Sequence, residues 1–199
     1  MRLFIAIRLD PDAAQYLRSL RTALEPHLPR ARWVDPENGH LTLAFLGEFH
    51  ESKVPQIAKL LEERCGGRPS FGLSLRGIGA FPSWEAARVV WLGIEEGSRE
   101  MIQIERLLRE GLERLDISLE SRAYHPHLTL CRIRASQKTG AFHRAADRWS
   151  AENPEPWTME ARRVELFESR LSPQGPGYRS LAAVELSGGA AERVRPPRP

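Results

Sequence analysis

The apolar positions along the chain set out its elements. Leu3, Phe4, Ile5, Ala6 and Ile7 make a short unbroken run between Arg2 and Arg8, which predicts a buried strand. Asp10-Pro11 then opens a helix, with Asp10 as N-cap and Pro11 in the first helical position. Ala13, Tyr16, Leu17, Leu20 and Leu24 recur at helical spacing, and the helix is expected to stop before Pro26 and Pro29. Trp33-Val34 leads into a turn, Asp35-Pro36-Glu37-Asn38-Gly39. A strand follows from His40 to Leu46 and closes at Gly47. Val54, Ile57 and Leu61 give a second helix, Ser52 to Arg64, ended by Gly66-Gly67. Phe71, Leu73 and Leu75 alternate as a half-buried strand.

The middle of the chain repeats this order. Val89 to Ile94 reads as a strand. Ser98 is expected to cap a helix whose inner face is Met101, Ile104, Leu108, Gly111 and Leu115. An irregular stretch and a strand from His127 complete the copy. At an offset of 87 residues, Leu3, Ile5 and Ile7 fall on Val90, Leu92 and Ile94, and His40-Leu41-Thr42-Leu43 falls on His127-Leu128-Thr129-Leu130. Two copies predict a duplicated unit with a pseudo-twofold axis rather than a solenoid. The last strands are expected at Trp157–Arg170 and Tyr178–Leu186, with Ser172 to Gly177 as their loop. Mixed helix and strand patterns with recurrent hairpins point to an α+β fold, antiparallel sheets with helices on their outer faces. Residues 1–186 are expected to form one domain, and 187–199, poor in apolar pattern, a disordered tail.

The repeated segment carries the candidate chemistry. Residues two apart on a strand share a face, so His40 and Thr42 point one way, and Leu41 and Leu43 the other. The same holds for His127 and Thr129. The 199 residues include six histidines and five threonines. A threonine would follow a given histidine at this spacing roughly once in forty random placements. Two such pairs in register with a repeat therefore indicate a site. In a pseudo-symmetric molecule the two faces can meet across a cleft and bring two imidazoles and two hydroxyls together. Histidine titrates near pH 6.5, so one ring can take a proton while the other gives one. The threonine hydroxyls can bond the non-bridging oxygens of a phosphoryl group. This chemistry needs no metal or other cofactor.

Composition narrows the setting. Hydrophobic residues make up 41% of the chain, enough for a globular core. No apolar run approaches the roughly 18 residues of a membrane span. The apolar start is too short for a signal peptide and meets Arg8 and Asp10 at once. A cytoplasmic chain without membrane partners is expected. Cys65 and Cys131 build no disulfide framework and read as buried thiols. The net charge of +3 and the arginine-rich cation content favour a phosphate-bearing partner.

These residues resemble the two-histidine (2H) phosphoesterase family, in its RNA 2',3'-cyclic phosphodiesterase or 2'-5' RNA ligase branch. The resemblance covers about residues 1–186. It rests on Leu3 to Ile7, on Trp33 to Gly47 around the first motif, and on Pro126-His127-Leu128-Thr129-Leu130-Cys131-Arg132. Leu166-Phe167-Glu168-Ser169-Arg170-Leu171, followed by Gly175 and Tyr178, completes it. It implies a bilobal fold with two antiparallel sheets lining a central cleft, one motif in each lobe. It implies hydrolysis of RNA 2',3'-cyclic phosphate ends to 2'-phosphates, with reversible 2'-5' ligation as a further activity. His40 would be the proton donor to the leaving 3'-oxygen and His127 the acceptor from water. Thr42, Thr129, Arg132 and Phe45 would bind substrate, RNA with 2',3'-cyclic phosphate ends or a cyclic nucleotide, and the chain would act as a monomer.

Phe45 and Arg132 each follow their histidine by five residues, so strict alternation turns them away from it; a bulge is required. His125 stands where an aromatic or basic residue is expected, and His125-x-His127 on one strand has metal-ligand spacing, though no third ligand is evident. His27, His50 and His143 read as surface residues, and Trp91, Trp149 and Trp157 as core. The alternatives are a phosphodiesterase for a small cyclic nucleotide or ADP-ribose cyclic phosphate, and a nucleotide- or RNA-binding module without turnover.

Overall fold

The computed structural model describes residues 1–134, 138–172 and 175–187. The fold is α+β, with two antiparallel sheets and four α-helices among the described residues. The strands are β1 (Arg2–Arg8), β2 (Ala31–Trp33), β3 (His40–Glu48), β4 (Phe71–Phe81), β5 (Val89–Ile94), β6 (His127–Ile133), β7 (Trp157–Ala161), β8 (Arg163–Ser172) and β9 (Gly175–Glu185). The helices are α1 (Ala13–Leu24), α2 (Val54–Cys65), α3 (Ser98–Glu113) and α4 (Gly140–Glu152). Sheet one has the order β3-β1-β8-β9 and sheet two the order β2-β6-β5-β4-β7. Among the described residues, no helix is long and apolar enough to cross a membrane.

The repeat is visible in the pairing. β3 runs against β1 in sheet one as β6 runs against β5 in sheet two. The halves also exchange strands. β2 and β4, from the first half, complete sheet two, while the β8–β9 hairpin, from the second, completes sheet one. Leu3, Ile5 and Ile7 join a continuous apolar core with Leu17, Leu20 and Leu24 of α1 and Ile57 and Leu61 of α2. Phe4 and Ala6 look the other way and, with Phe167, make a small second cluster against Tyr178. β1 is thus buried on both faces, which its unbroken apolar run anticipates.

Several expectations need correction. Ile7 pairs with Leu41 and Ile5 with Ala44, while Leu92 pairs with Leu128 and Val90 with Cys131. The first strands therefore correspond at an offset of 85, with a two-residue slip before the motif strands at 87. Because strands have period two, the slip keeps every side chain on its face. Trp157–Arg170 is two strands. β7 ends at Ala161 against Phe71 in sheet two, and β8 begins at Arg163 against Glu185 in sheet one. α4 was not anticipated, although Phe142, Ala146 and Trp149 bury at helical spacing. α1 starts two residues late: Asp12, not Asp10, precedes it, and the Ala13 N–H bonds the Asp10 carbonyl at 3.0 Å. α3 is preceded by Gly97 at φ +86, with Ser98 as its first residue and no side-chain cap. The expected loop from Ser172 to Gly177 is mostly hairpin strand, paired from Ser172↔Gly175 onward. Ser187 is bridged to Pro69, and residues 188–199 of the expected tail lie outside the described residues. Both cysteines are buried and free, and burial pushes each thiol up to about 12.

Candidate active site

The two motif strands approach each other, one from each sheet. On both, His and Thr are half-buried, and the intervening leucines, Leu41, Leu43, Leu128 and Leu130, are buried. Each strand then breaks its alternation at the same place. Thr42 pairs with Ala6 and Ala44 with Ile5, so Leu43 is an extra residue; Thr129 pairs with Trp91 and Cys131 with Val90, so Leu130 is another. These are twin β-bulges. They return Phe45 and Arg132 to the face that carries the histidines. Phe45 is 54% exposed and lies 6.3 Å from Phe4, whose ring is 5.0 Å from His40. It is not a core aromatic. Arg132 is exposed, and its charge acts on both His40 and His127.

Both imidazoles are held in the same way. His40 Nδ1–H donates to the Asn38 carbonyl at 2.8 Å, and His127 Nδ1–H to the His125 carbonyl at 2.7 Å. A backbone acceptor two residues upstream thus fixes each tautomer and leaves Nε2 as the ring's remaining donor or acceptor. Desolvation is the largest influence on both rings and lowers both pKa values below the usual histidine range. The backbone bonds oppose this. The positive charges of Arg8, Arg132 and His127 lower His40 further, and those of His125 and Arg132 do the same for His127.

Aromatic rings surround each histidine. His40 meets Phe4 and, edge-on at 4.8 Å, Tyr178. Phe4 rests on Phe167, and the Arg8 guanidinium lies 4.8 Å over the Phe167 ring with Glu165 beside it at 3.7 Å. Phe4, Arg8, Asn38, Gly39, His40, Phe167 and Tyr178 line a shallow pocket. His127 meets Phe81 at 5.2 Å and Trp91 at 6.4 Å. Trp91 is therefore not a core residue. It lies flat on Gly79, where an added Cβ would come within 2.3 Å of its ring. Trp149 is buried as expected, and Trp157 packs at the edge of the core.

Cross-tethers hold the motifs together. Tyr124, just before the second motif, donates its hydroxyl proton to the Thr42 carbonyl at 2.9 Å. Trp33, just before the first, pairs with Cys131, and the Val34 N–H bonds the Leu130 carbonyl at 2.9 Å. Each motif strand is thereby fixed by the segment leading into the other. His125 precedes β6 instead of sharing it, and its exposed ring is 6.5 Å from that of His127. Among the described residues, no three His, Cys, Asp or Glu side chains gather as metal ligands do. His27 and His50 are exposed, and His143 is half-buried against Trp84 at 4.4 Å. Sequence reasoning assigned no site role to Phe4, Arg8, Phe81, Trp91 or Tyr178. Only alternation could have found the strand residues among them, since Phe4 and Arg8 share one phase of β1.

Known proteins share this architecture. The LigT-like phosphoesterase family model matches twice in succession, over residues 7–91 and 92–178, one match for each half of the repeat. A Thermotoga maritima protein named RNA 2',3'-cyclic phosphodiesterase is 33% identical over 193 residues, 95% of this chain and 97% of its own. The structure of TT0787 from Thermus thermophilus is similar with a TM-score of 0.76 and 28% identity, covering 94% of this chain and 99% of that one. Escherichia coli LigT, solved in complex with 3'-AMP, gives a TM-score of 0.72 and 29% identity, covering 94% and 98%. Twin histidine strands, twin bulges and a doubled family match agree: the chain belongs to the LigT-like phosphoesterases.

Proposed function

We propose that the chain opens the 2',3'-cyclic phosphate at RNA ends to a 2'-phosphate, with His40 and His127 as its acid and base. His127 Nε2 takes a proton from water as the water oxygen bonds phosphorus. The P–O3' bond breaks, and His40 Nε2 gives its proton to the departing 3'-oxygen. Thr42 and Thr129 donate hydrogen bonds to the non-bridging oxygens, and Arg132 supplies positive charge where negative charge builds up. Residues 1–186 act as one catalytic unit, because each sheet needs strands from both halves. The observation that carries this reading is the matched anchoring of the two rings through Nδ1. A structural histidine needs no twin, whereas an acid and a base on one phosphoryl group need two rings with Nε2 in reserve. The names of relatives such as the Thermotoga maritima protein support the substrate.

Product analysis tests it. A cyclic-phosphate-ended oligonucleotide should yield a 2'-phosphate, with the rate unchanged in excess chelator. Tight binding without turnover would make the chain a binding module. Turnover of a cyclic mononucleotide alone would make it a small-molecule enzyme.

The pH dependence follows from the lowered pKa values. Activity needs one ring protonated and one neutral. With both pKa values below the usual 6.5 or so, free enzyme near neutrality has both rings neutral, so kcat/KM should peak below about pH 6.5 and fall on the alkaline side before pH 7. Arg132 lowers both rings. Arg132→Gln should therefore move the alkaline limb upward while lowering the maximum. A limb that stays in place would separate Arg132 from the titrating pair.

A further inference from the structure

Arg32 on the edge strand β2 pairs directly with Arg132 on β6. Cross-strand partners share a face, so two guanidinium groups project side by side from the site face. Both are exposed, and among the described residues neither forms an ion pair. Like charges set opposite each other repel, and an anion between them removes that cost. Arg132 acts on both histidines, but the charges acting on them do not include Arg32, which lies one strand further out.

Across from this pair stands Tyr178, edge-on to His40. Its phenol feels Arg132, Arg2 and Arg32 together. Arg2 and Tyr178 both pair with Ser169, from opposite sides, and so share its face. Glu48 is in register with Arg2 on β3 without closing into an ion pair among the described residues. Arg2 on β1, Arg32 on β2 and Arg132 on β6 thus all act electrostatically on the one phenol that packs edge-on against His40. With exposed Phe45 on the same face, this is a basic track with an aromatic platform, the arrangement that binds single-stranded nucleic acid.

We propose that Arg32 holds the backbone phosphate one nucleotide in from the cyclic end of an RNA strand, with Arg2 on the facing wall. This contact selects strand ends over free cyclic nucleotides. The inference rests on the cyclic-phosphate reading above and deepens its substrate class. Strands lie about 4.8 Å apart, and arginine side chains can splay further, so neighbouring phosphates can meet neighbouring arginines. The guanidinium fork suits a phosphate bidentately. An acidic peptide could also meet Arg32, but it would bring no phosphoryl group to the histidines.

The test compares kcat/KM for a 2',3'-cyclic mononucleotide with that for a cyclic-phosphate-ended dinucleotide, at several salt concentrations. The native chain should favour the dinucleotide by about 10–100-fold, the worth of a charge-assisted hydrogen bond. Arg32→Ala should remove most of that preference and leave mononucleotide turnover within about twofold. Its salt slope on the dinucleotide should shrink by about 0.7, one single-strand phosphate contact. Arg32→Lys should keep the slope and part of the preference. Equal use of both substrates by the native chain, or equal loss on both in Arg32→Ala, would overturn the proposal and leave the chemistry standing. Turnover of neither substrate by the native chain would overturn the cyclic-phosphate reading, and the subsite with it.

Discussion

His40→Ala and His127→Ala should each lower kcat on a cyclic-phosphate RNA end by about 10²–10⁴-fold, the usual worth of a positioned acid or base. Substrate affinity should fall much less, because Thr42, Thr129 and Arg132 still face the phosphate. The two roles can be separated with a phosphodiester whose nitrophenolate leaves without a proton. On that substrate the acid is dispensable and the base is not, so His40→Ala should keep a larger share of activity than His127→Ala. The reverse pattern would exchange the assignments. A parallel assay on a 2',3'-cyclic nucleotide should find both variants badly impaired. It shows whether the artificial substrate is read in the same register. The prediction depends on the two rings being equivalent in their anchoring, each through Nδ1 to a carbonyl two residues upstream.

Phe167→Ala should carry the largest cost in stability and should also reach the chemistry. The ring is buried to 1% exposure, stacks on Phe4 at 5.2 Å, and lies under the Arg8 guanidinium. Its loss should cost about 3–5 kcal/mol, which for a domain of this size lowers Tm by roughly 6–20 °C. Phe4, which then loses its support, is the ring against which His40 packs. At a temperature where the variant is folded, kcat should therefore fall about tenfold or more, since a misplaced catalytic group loses its orientation. Leu61→Ala is the comparison. Leu61 is equally buried in α2, in the large core and outside the Phe4 cluster. It should cost about 2–5 kcal/mol and leave kcat near native. Equal kcat values for the two variants would show that the aromatic floor supports the fold but does not position His40.

Much of the site was legible because strand alternation is a local rule. The leucines around each histidine are buried, and the histidines and threonines are not, as period two requires. The need for a bulge was legible too, from the conflict between the five-residue spacing of Phe45 and Arg132 and their expected face. It lies at Leu43 and Leu130. What could not be read depends on partners distant in sequence. Trp91 alternates with buried Val90 and Leu92, so its phase turns it from the core, but its place beside His127 depends on its pairing with Thr129 and on the close approach of Gly79. Strand exchange was hidden for the same reason: no local pattern says that β4 pairs with β5 and β7, or that the chain changes sheets at Arg162. A hint was present, since burial moves from Ala161 to Val164 and Leu166 and so changes phase. The helix α4 was missed although its apolar spacing is regular. The spacing of His125 and His127 suggests one strand, whereas β6 begins at His127 and His125 lies before it.

The central claim is that a pair of histidines directs water onto the phosphorus of a 2',3'-cyclic end and expels the 3'-oxygen. Hydrolysis of a cyclic-phosphate-ended oligonucleotide in oxygen-18 water, stopped within a single turnover and read by mass and by phosphate position, measures this directly. The account predicts a 2'-phosphate carrying one oxygen-18, formed at native rate by the unaltered chain and lost with the His40→Ala, His127→Ala double substitution. A 3'-phosphate, an unlabelled product, or undiminished turnover by the double variant would contradict it.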